Sequence, residues 1–515
     1  MSRDVSRGPD RFRPIFRRVL GCALIWGVSG GAALAEFATA GEAWRDGLVQ
    51  QLPPPSAEQE ANWENTLAGV YELALRNDRT LAAAQATFRA GLEERRLGWA
   101  EILPTLNAQY TYQDVTQKSR GLFPVGGELL LPNETNTDRE TTRWSLSLEQ
   151  PLFDLPAWFR FQRGRELTER ARAEFTVAQQ DLMVRTTDAY FAVLRAMANL
   201  QASFAEEAAF QGQLEQVEQR FEVGLVAITD VFEARAAFDI ATANRLGFEG
   251  DVEIALENLS VITGRSHSQL WQLQDEFPVV DPTPVAVDGW VDFALRHNAD
   301  IEVAKHSRQV AQRDARAAAS QHLPRVSLGV NYSDTETDVV RRDLIEGGPP
   351  DRFPSDQRDT QVTVNVTMPV FAGGAISANR RRSAALFDSE SERYEATIRQ
   401  VTQNTRALHV SVRRNVARTS ARAQAIVSSR SALEAAETGY EVGTRNIVDV
   451  LDAQRTLFSA IRDHDNSIID FVLDVINLKR SAGLLTPADL LELNRWLEEP
   501  PPPAAPQRPA RRRQD

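Results

Sequence analysis

The chain is written twice. Arg220-Phe221-Glu222-Val223-Gly224-Leu225-Val226-Ala227-Ile228-Thr229-Asp230-Val231 returns as Gly439-Tyr440-Glu441-Val442-Gly443-Thr444-Arg445-Asn446-Ile447-Val448-Asp449-Val450, with glycines and aspartates both offset by 219 positions (443 − 224 and 449 − 230). Leu103-Pro104 recurs as Leu323-Pro324, Gln150-Pro151-Leu152-Phe153 as Met368-Pro369-Val370-Phe371, and Ala74-Leu75-Arg76 as Ala294-Leu295-Arg296. The same units in the same order make the body a tandem duplication, so two similar halves must build one architecture. The first structural repeat is assigned to 36–282 and the second to 283–495.

The segment before them reads as an export signal. Arg17-Arg18 precedes an apolar run from Val19 to Leu34 that closes on Ala33-Leu34-Ala35, the pattern of a cleaved secretory peptide spanning 1–35. The run is rich in Gly and Ala and short of the ~20 residues a membrane-spanning helix needs. The single cysteine, Cys22, leaves with the peptide, which excludes disulfide and thiol chemistry. A net charge of −13 argues against a nucleic-acid partner, since phosphate backbones select basic surfaces. The last stretch, 496–515, is Pro-rich with Arg511-Arg512-Arg513 and reads as a disordered tail.

Four segments alternate with period two. Leu106, Ala108, Tyr110 and Tyr112 alternate with Asn107, Gln109, Thr111 and Gln113; Trp144, Leu146 and Leu148 with Ser145, Ser147 and Glu149. Val326, Leu328, Val330 and Tyr332 alternate with Ser327 and Asn331, and Val362, Val364, Val366 and Met368 with Thr363, Asn365 and Thr367. Each reads as a strand of about ten residues with one apolar and one polar face. A half-exposed soluble sheet shares this pattern, but export and aromatic residues near the strand ends favour strands whose outer face meets lipid. The hairpins are placed at about 105–150 and 325–369, with polar loops at Thr116 to Thr142 and Thr335 to Thr360. Pro104, Pro151, Pro324 and Pro369 mark the ends where helix gives way to strand. Four strands close no barrel, for which about eight is the minimum, so spanning a membrane demands several copies.

The remainder reads helical. No proline occurs from Ala157 to Glu222, and Met183, Tyr190, Met197 and Phe204 recur every seven residues, with Val193, Leu200, Leu214 and Phe221 beside them and Glu207 interrupting. Such a period implies packing against neighbouring helices as in a coiled coil. An unbroken helix there reaches roughly 100 Å at about 1.5 Å per residue. Its counterpart, from about Ala378 to Glu441, is rich in Ala, Arg and Ser.

At this point the chain resembles the TolC-type outer membrane efflux proteins. The most specific stretches are Val223 to Val231 and Val442 to Ala453. The resemblance implies an α+β membrane protein: a homotrimer whose twelve-stranded transmembrane β-barrel (four strands per protomer) continues into a long periplasmic α-helical barrel. It implies the outer membrane of a Gram-negative bacterium, extending into the periplasm, with a periplasmic adaptor (membrane fusion protein) and an inner-membrane pump as partners. The expected function is a passive exit duct in tripartite efflux or type I secretion, with no enzymatic activity and no cofactor. The alternative is an exported, adhesin-like coiled-coil trimer without channel activity.

Residue by residue, the resemblance matches Asp449 and Asp452 to acids ringing the narrow tip, and their i, i+3 spacing puts them on one helix face. Thr229 and Asp230 match one side of a tip lock and Tyr440 and Arg445 the other; Gln213 and Glu437 match a further pair. Arg445 is expected to fork onto Asp230 while the Tyr440 hydroxyl donates to the same carboxylate. Exposed pairs are worth about 0–1 kcal/mol each, yet several over three protomers reach the ~5.5 kcal/mol that moves a gate from closed to open. Val223, Gly224, Leu225, Val442, Gly443 and Thr444 match the adaptor-docking tip, where Gly suits a chain reversal after a helix. Two departures stand out: Phe232 and Glu233 replace polar, uncharged residues, and Glu233 is the repeat-mate of Asp452. The six histidines, His267, His297, His306, His322, His409 and His464, show no metal-ligand spacing.

Overall fold

The computed structural model describes residues 63–125, 129–274, 276–343 and 349–500; the expected export signal and the tail beyond 500 lie outside them. Helices α1 (Leu67–Asn77) and α2 (Arg79–Ala100) lead into β1 (Thr105–Val125) and β2 (Leu129–Phe153), then α3 (Leu155–Glu222) and α4 (Ile228–Thr263). A two-residue strand, β3 (Gln272–Leu273), follows. The order then returns as α5 (Val287–His297), α6 (Ala299–Ala319), β4 (Arg325–Asp343), β5 (Asp351–Thr367), α7 (Ala375–Glu441) and α8 (Ile447–Ser481), before α9 (Pro487–Asn494) and β6 (Leu497–Glu498). The lengths also return: 11 and 11 residues for α1 and α5, 68 and 67 for α3 and α7, 36 and 35 for α4 and α8. Two compact units emerge, one of residues 87–176 and 299–400, the other of the remaining segments. Among the described residues no helix is long and apolar enough to cross a membrane.

The first unit holds a four-stranded antiparallel sheet in the order β1-β2-β4-β5. Its register pairs Tyr110 with Trp144, Leu148 with Val330, and Val330 with Val362. Because side chains alternate faces, Leu106, Tyr110, Leu146, Leu148, Val330, Tyr332, Val362 and Val364 fall on one face and Asn107, Ser147, Asn331 and Gln361 on the other. Trp144 meets Tyr332 edge to face at 5.8 Å. The apolar face is open: Leu106, Tyr110, Val362 and Val364 are 58–66% exposed. From Leu106 to Tyr112 it runs six residue steps, roughly 20 Å at about 3.4 Å each, close to the ~25 Å apolar band of an outer-membrane strand.

The strands are longer than the alternation predicts, at 21, 25, 19 and 17 residues. The stretches expected as loops, Thr116 to Thr142 and Thr335 to Thr360, are largely ladder. Above Tyr112 and Tyr332 the apolar row turns charged, but cross-strand pairs continue it: Thr116 donates to Asp138 at 2.9 Å, and Arg120 meets Glu134 at 2.8 Å and Arg342 meets Asp138 at 2.7 Å. A hairpin needs cross-strand partners, not an apolar face. Pro151 sits at a register shift inside β2 instead of beyond it. Beside the sheet, α2 and α3 approach closely. A Cβ on Gly164 would lie 2.5 Å from the Glu94 carbonyl oxygen, and Phe88 stacks on Phe175 at 4.9 Å.

Among the described residues the second unit has two apolar cores. One gathers Leu67, Tyr190, Phe191, Leu259, Trp290, Phe471 and Leu497. Leu497 is 4% exposed and pairs through β6 with Leu273, so the tail expected from 496 is ordered at its start, held by this core and by Trp496 against Phe277 at 5.9 Å. The other core gathers residues of all four long helices near the α3–α4 and α7–α8 turns. Along α3 the expected row holds through Met183, Tyr190 and Val193 but not at Phe204 or Phe221, which are 50% and 40% exposed. The buried row there runs through Ser203, Glu206, Phe210, Gln213, Leu214 and Val217, of which the expected row held Leu214. Glu207 therefore interrupts nothing; it lies off the core and pairs with Arg245 at 2.7 Å.

Candidate functional site at the helix hairpin ends

The twin sequence motifs fold into twin turns. Gly224 and Gly443 both have φ of +77°, a conformation glycine adopts at little cost. After α3, Gly224 N–H donates to Phe221 O and Leu225 N–H to Arg220 O, each at 2.9 Å; after α7, Gly443 donates to Tyr440 O at 3.1 Å and Thr444 to Gly439 O at 2.8 Å. Both are Schellman closures, which satisfy the last helical carbonyls and reverse the chain. Val223, Leu225 and Val442 stand about 70% exposed at the turns.

The two returning helices start differently. In α8, Asn446 Oδ1 accepts from Asp449 N–H at 2.9 Å and the Asp449 carboxylate accepts from Asn446 N–H at 3.4 Å, a complete capping box. In α4 the N-cap is Ala227, which has no side-chain acceptor. Asp230, the repeat-mate of Asp449, is thus not consumed in a cap and accepts only from its neighbour, Thr229 Oγ1, at 3.3 Å.

Below the turns, Phe210, Leu214 and Val217 of α3, Val231, Ala234 and Ala237 of α4, Ala436 and Tyr440 of α7, and Ile447, Val450 and Leu451 of α8 form one core. Each large side chain buried here contributes about 1.5–3 kcal/mol. Small residues on α4 let the helices approach. This core fixes the polar residues around it.

Tyr440 is 8% exposed and its hydroxyl has no hydrogen-bond partner. The Arg220 guanidinium lies over its ring, 4.8 Å from the centroid, an attractive cation–π arrangement. Burial pushes the phenol up from its ordinary value; the Arg220 charge opposes this and the Asp230 charge adds to it. Arg445 lays its stem against Gly439, where a Cβ would come within 3.0 Å of Arg445 Cγ. Its guanidinium makes no ion pair with Asp230 inside the protomer, nor does Tyr440 reach that carboxylate. The expected fork is therefore absent from the single chain: the Arg445 stem is committed to α7's last turn. Gln213 is buried and Glu437 half-buried, with no hydrogen bond joining them. Asp449 and Asp452 are both exposed on α8.

Five charged residues here were given no role by the sequence. Arg220 is the repeat-mate of Gly439, a mismatch that was the available signal: the first repeat supplies the guanidinium that covers the second repeat's tyrosine. Glu206, 4% exposed, meets Arg462 of α8 at 2.5 Å, beneath Phe248 of α4, whose ring lies 6.0 Å from the Arg462 guanidinium. Arg195 meets Asp470 at 2.6 Å further along the same two helices.

The pattern of the outer membrane efflux protein family matches residues 70–265 and 290–483. TolC of Vibrio cholerae is 30% identical over 440 residues, covering 85% of this chain and 95% of the relative. The protease secretion protein PrtF of Dickeya chrysanthemi is 29% identical over 448 residues, covering 84% and 92%. The solved structure of VceC from Vibrio cholerae shares the fold, with a TM-score of 0.66 at 19% identity over 83% of this chain and 99% of that one. Two matched segments that take in both hairpin turns and most of the described residues settle the matter: the chain belongs to the outer membrane efflux protein family.

Proposed function

We propose that three copies close one barrel through the free edges of β1 and β5, and that the hairpin ends of α3–α4 and α7–α8 form a gated tip. The chain is an outer membrane protein serving as the exit duct of efflux and type I secretion systems. The observation that carries the oligomer is the sheet itself. Its apolar face is exposed on β1 and β5, and the outer edges of these two strands meet no further strand among the described residues. Unpaired edges inside lipid are prohibitively costly, and β5 runs antiparallel to a neighbour's β1, as closure requires.

At the tip, the groups unmet within one chain support a latch between copies. Arg445 reaches Asp230 and Thr229 of the adjacent protomer, the Tyr440 hydroxyl finds Asp230, and Gln213 pairs with Glu437. Asp449 and Asp452 line the narrowest opening, giving it a preference for cations. Val223, Gly224, Leu225, Val442, Gly443 and Thr444 meet a periplasmic adaptor, which in turn engages an inner-membrane pump.

The test is single-channel conductance in planar bilayers, comparing the protein with an Asp230→Ala, Arg445→Ser double variant. A small, cation-favouring conductance that rises several-fold in the variant supports duct and latch together. Equal conductances refute the latch and leave the duct. Inserted trimers without conductance in either protein refute the duct.

A further inference from the structure

Helix α8 presents two unlike faces near its start. Ile447, Val450, Leu451, Gln454 and Leu457 are 1–8% exposed and face the core. The opposite face carries Asp449, Asp452 and Arg455, all exposed. Three residues apart, these side chains follow one another along one side of the helix. Arg455 Nη1 lies 2.8 Å from Asp452 Oδ1. Asp449 is bound back to its own cap through Asn446.

The cation is particular to this helix. Glu233 of α4, the repeat-mate of Asp452, is also exposed, but the residue three positions on is Ala236. Arg235 is turned to Glu218 of α3 at 2.6 Å. Only the acidic face of α8 therefore carries its own counter-charge.

We propose that Arg455 is a selectivity-determining residue of the tip, setting the fixed charge of the ring formed by Asp449 and Asp452. This rests on the reading that those two acids line the opening. Two acids and one base per protomer leave one net negative charge, so three copies present three where the acids alone would present six. A permanent ion pair is not required. An exposed pair is weak, but Arg455 is anchored one turn from Asp452, well inside the Debye length of about 10 Å at 0.1 M salt. Its charge therefore acts on the same opening whether or not the hydrogen bond is made.

The experiment measures reversal potentials of the full-length trimer in asymmetric KCl at low ionic strength. The panel is Arg455→Gln, Asp452→Asn, the double variant, and Asp449→Asn. Arg455→Gln is expected to raise the cation-to-anion permeability ratio by about twofold or more, as removal of a fixed positive charge at a pore ring does. Asp452→Asn lowers the ratio, and the double variant returns it close to the starting value, since a base and an acid leave together. An unchanged ratio in Arg455→Gln, with lowered ratios in the aspartate variants, overturns the proposal while sparing the ring. Unchanged ratios in all four proteins overturn the ring and the proposal with it. Arg455 is exposed and is not a member of the buried core, and trimer recovery checks that the variants assemble.

Discussion

Glu206 of α3 and Arg462 of α8 form a buried ion pair that ties the first repeat's long helix to the second repeat's last one, with the carboxylate 4% exposed and 2.5 Å from the guanidinium. A pair of this kind adds little net stability compared with apolar residues of equal volume, but losing one partner strands the other.

Glu206→Gln should cost about 3–5 kcal/mol, near the lower end because Arg462 keeps some contact with water. Glu206→Leu with Arg462→Met should be less damaging than either single change. Denaturant midpoints of the parent and these four variants decide the matter; a double variant as unstable as the sum of the singles contradicts it.

Glycines of one conformation should differ sharply in tolerance. Gly443 and Gly224 have open space where a Cβ would go, so alanine there costs only backbone strain of about 1 kcal/mol and should show as faster hydrogen exchange in the adjoining helical turns. Gly483, with φ of +71°, would place its Cβ 2.2 Å from the His297 carbonyl oxygen. Gly483→Ala should therefore fail to assemble, read as loss of the proposed trimer on a gel.

Ala227→Asn should give α4 the capping box that α8 already has, reciprocated by Asp230 at the third helical position. The cap itself is worth about 1 kcal/mol. It also draws the Asp230 carboxylate toward its own helix, so conductance should rise while thermal stability is kept or gained. A variant with unaltered conductance would show that Asp230 has no part in closure.

His267 supplies a pH dependence. It is 8% exposed, with Nε2 3.0 Å from Thr263 Oγ1, and burial lowers its pKa from the ordinary value. The unfolded chain then binds the proton more readily than the folded one. Stability is fully present above the ordinary histidine value of about 6.5 and falls as pH drops through it toward the folded value. Unfolding midpoints measured from pH 7.5 to about 5 should show this loss, and His267→Gln should flatten it.

Helices and strands announced themselves where one periodicity ran unopposed. Helix α3 begins two residues before the expected Ala157 and ends at Glu222, because Pro156 suits a first turn and Gly224 a last. The even-numbered apolar rows gave the sheet's faces, but not its height, since the ladder continues through Arg120 and Glu134 by pairing charges across strands. On α3 a seven-residue row continued on paper to Phe204 while the chain buried Ser203 and Glu206. A 3.6-residue helix drifts against a strict heptad, and a buried acid with a distant arginine leaves no apolar trace. The residues expected to form the latch stand in the motif, but the expected pairing is not made in the structure, because Arg445 and Asp230 do not meet within a single chain.

The unequal starts of α4 and α8 bear on how the halves of a duplicated protein come to differ. Both halves inherit an aspartate at the same place, and one half spends it on local architecture through Asn446. With Ala227 opposite, the other half keeps a spare carboxylate, a redundancy that symmetry alone would have wasted. Freed from holding its own helix, Asp230 can be altered without unravelling a helix start, so the duplication leaves one copy of this aspartate locally constrained and the other at liberty.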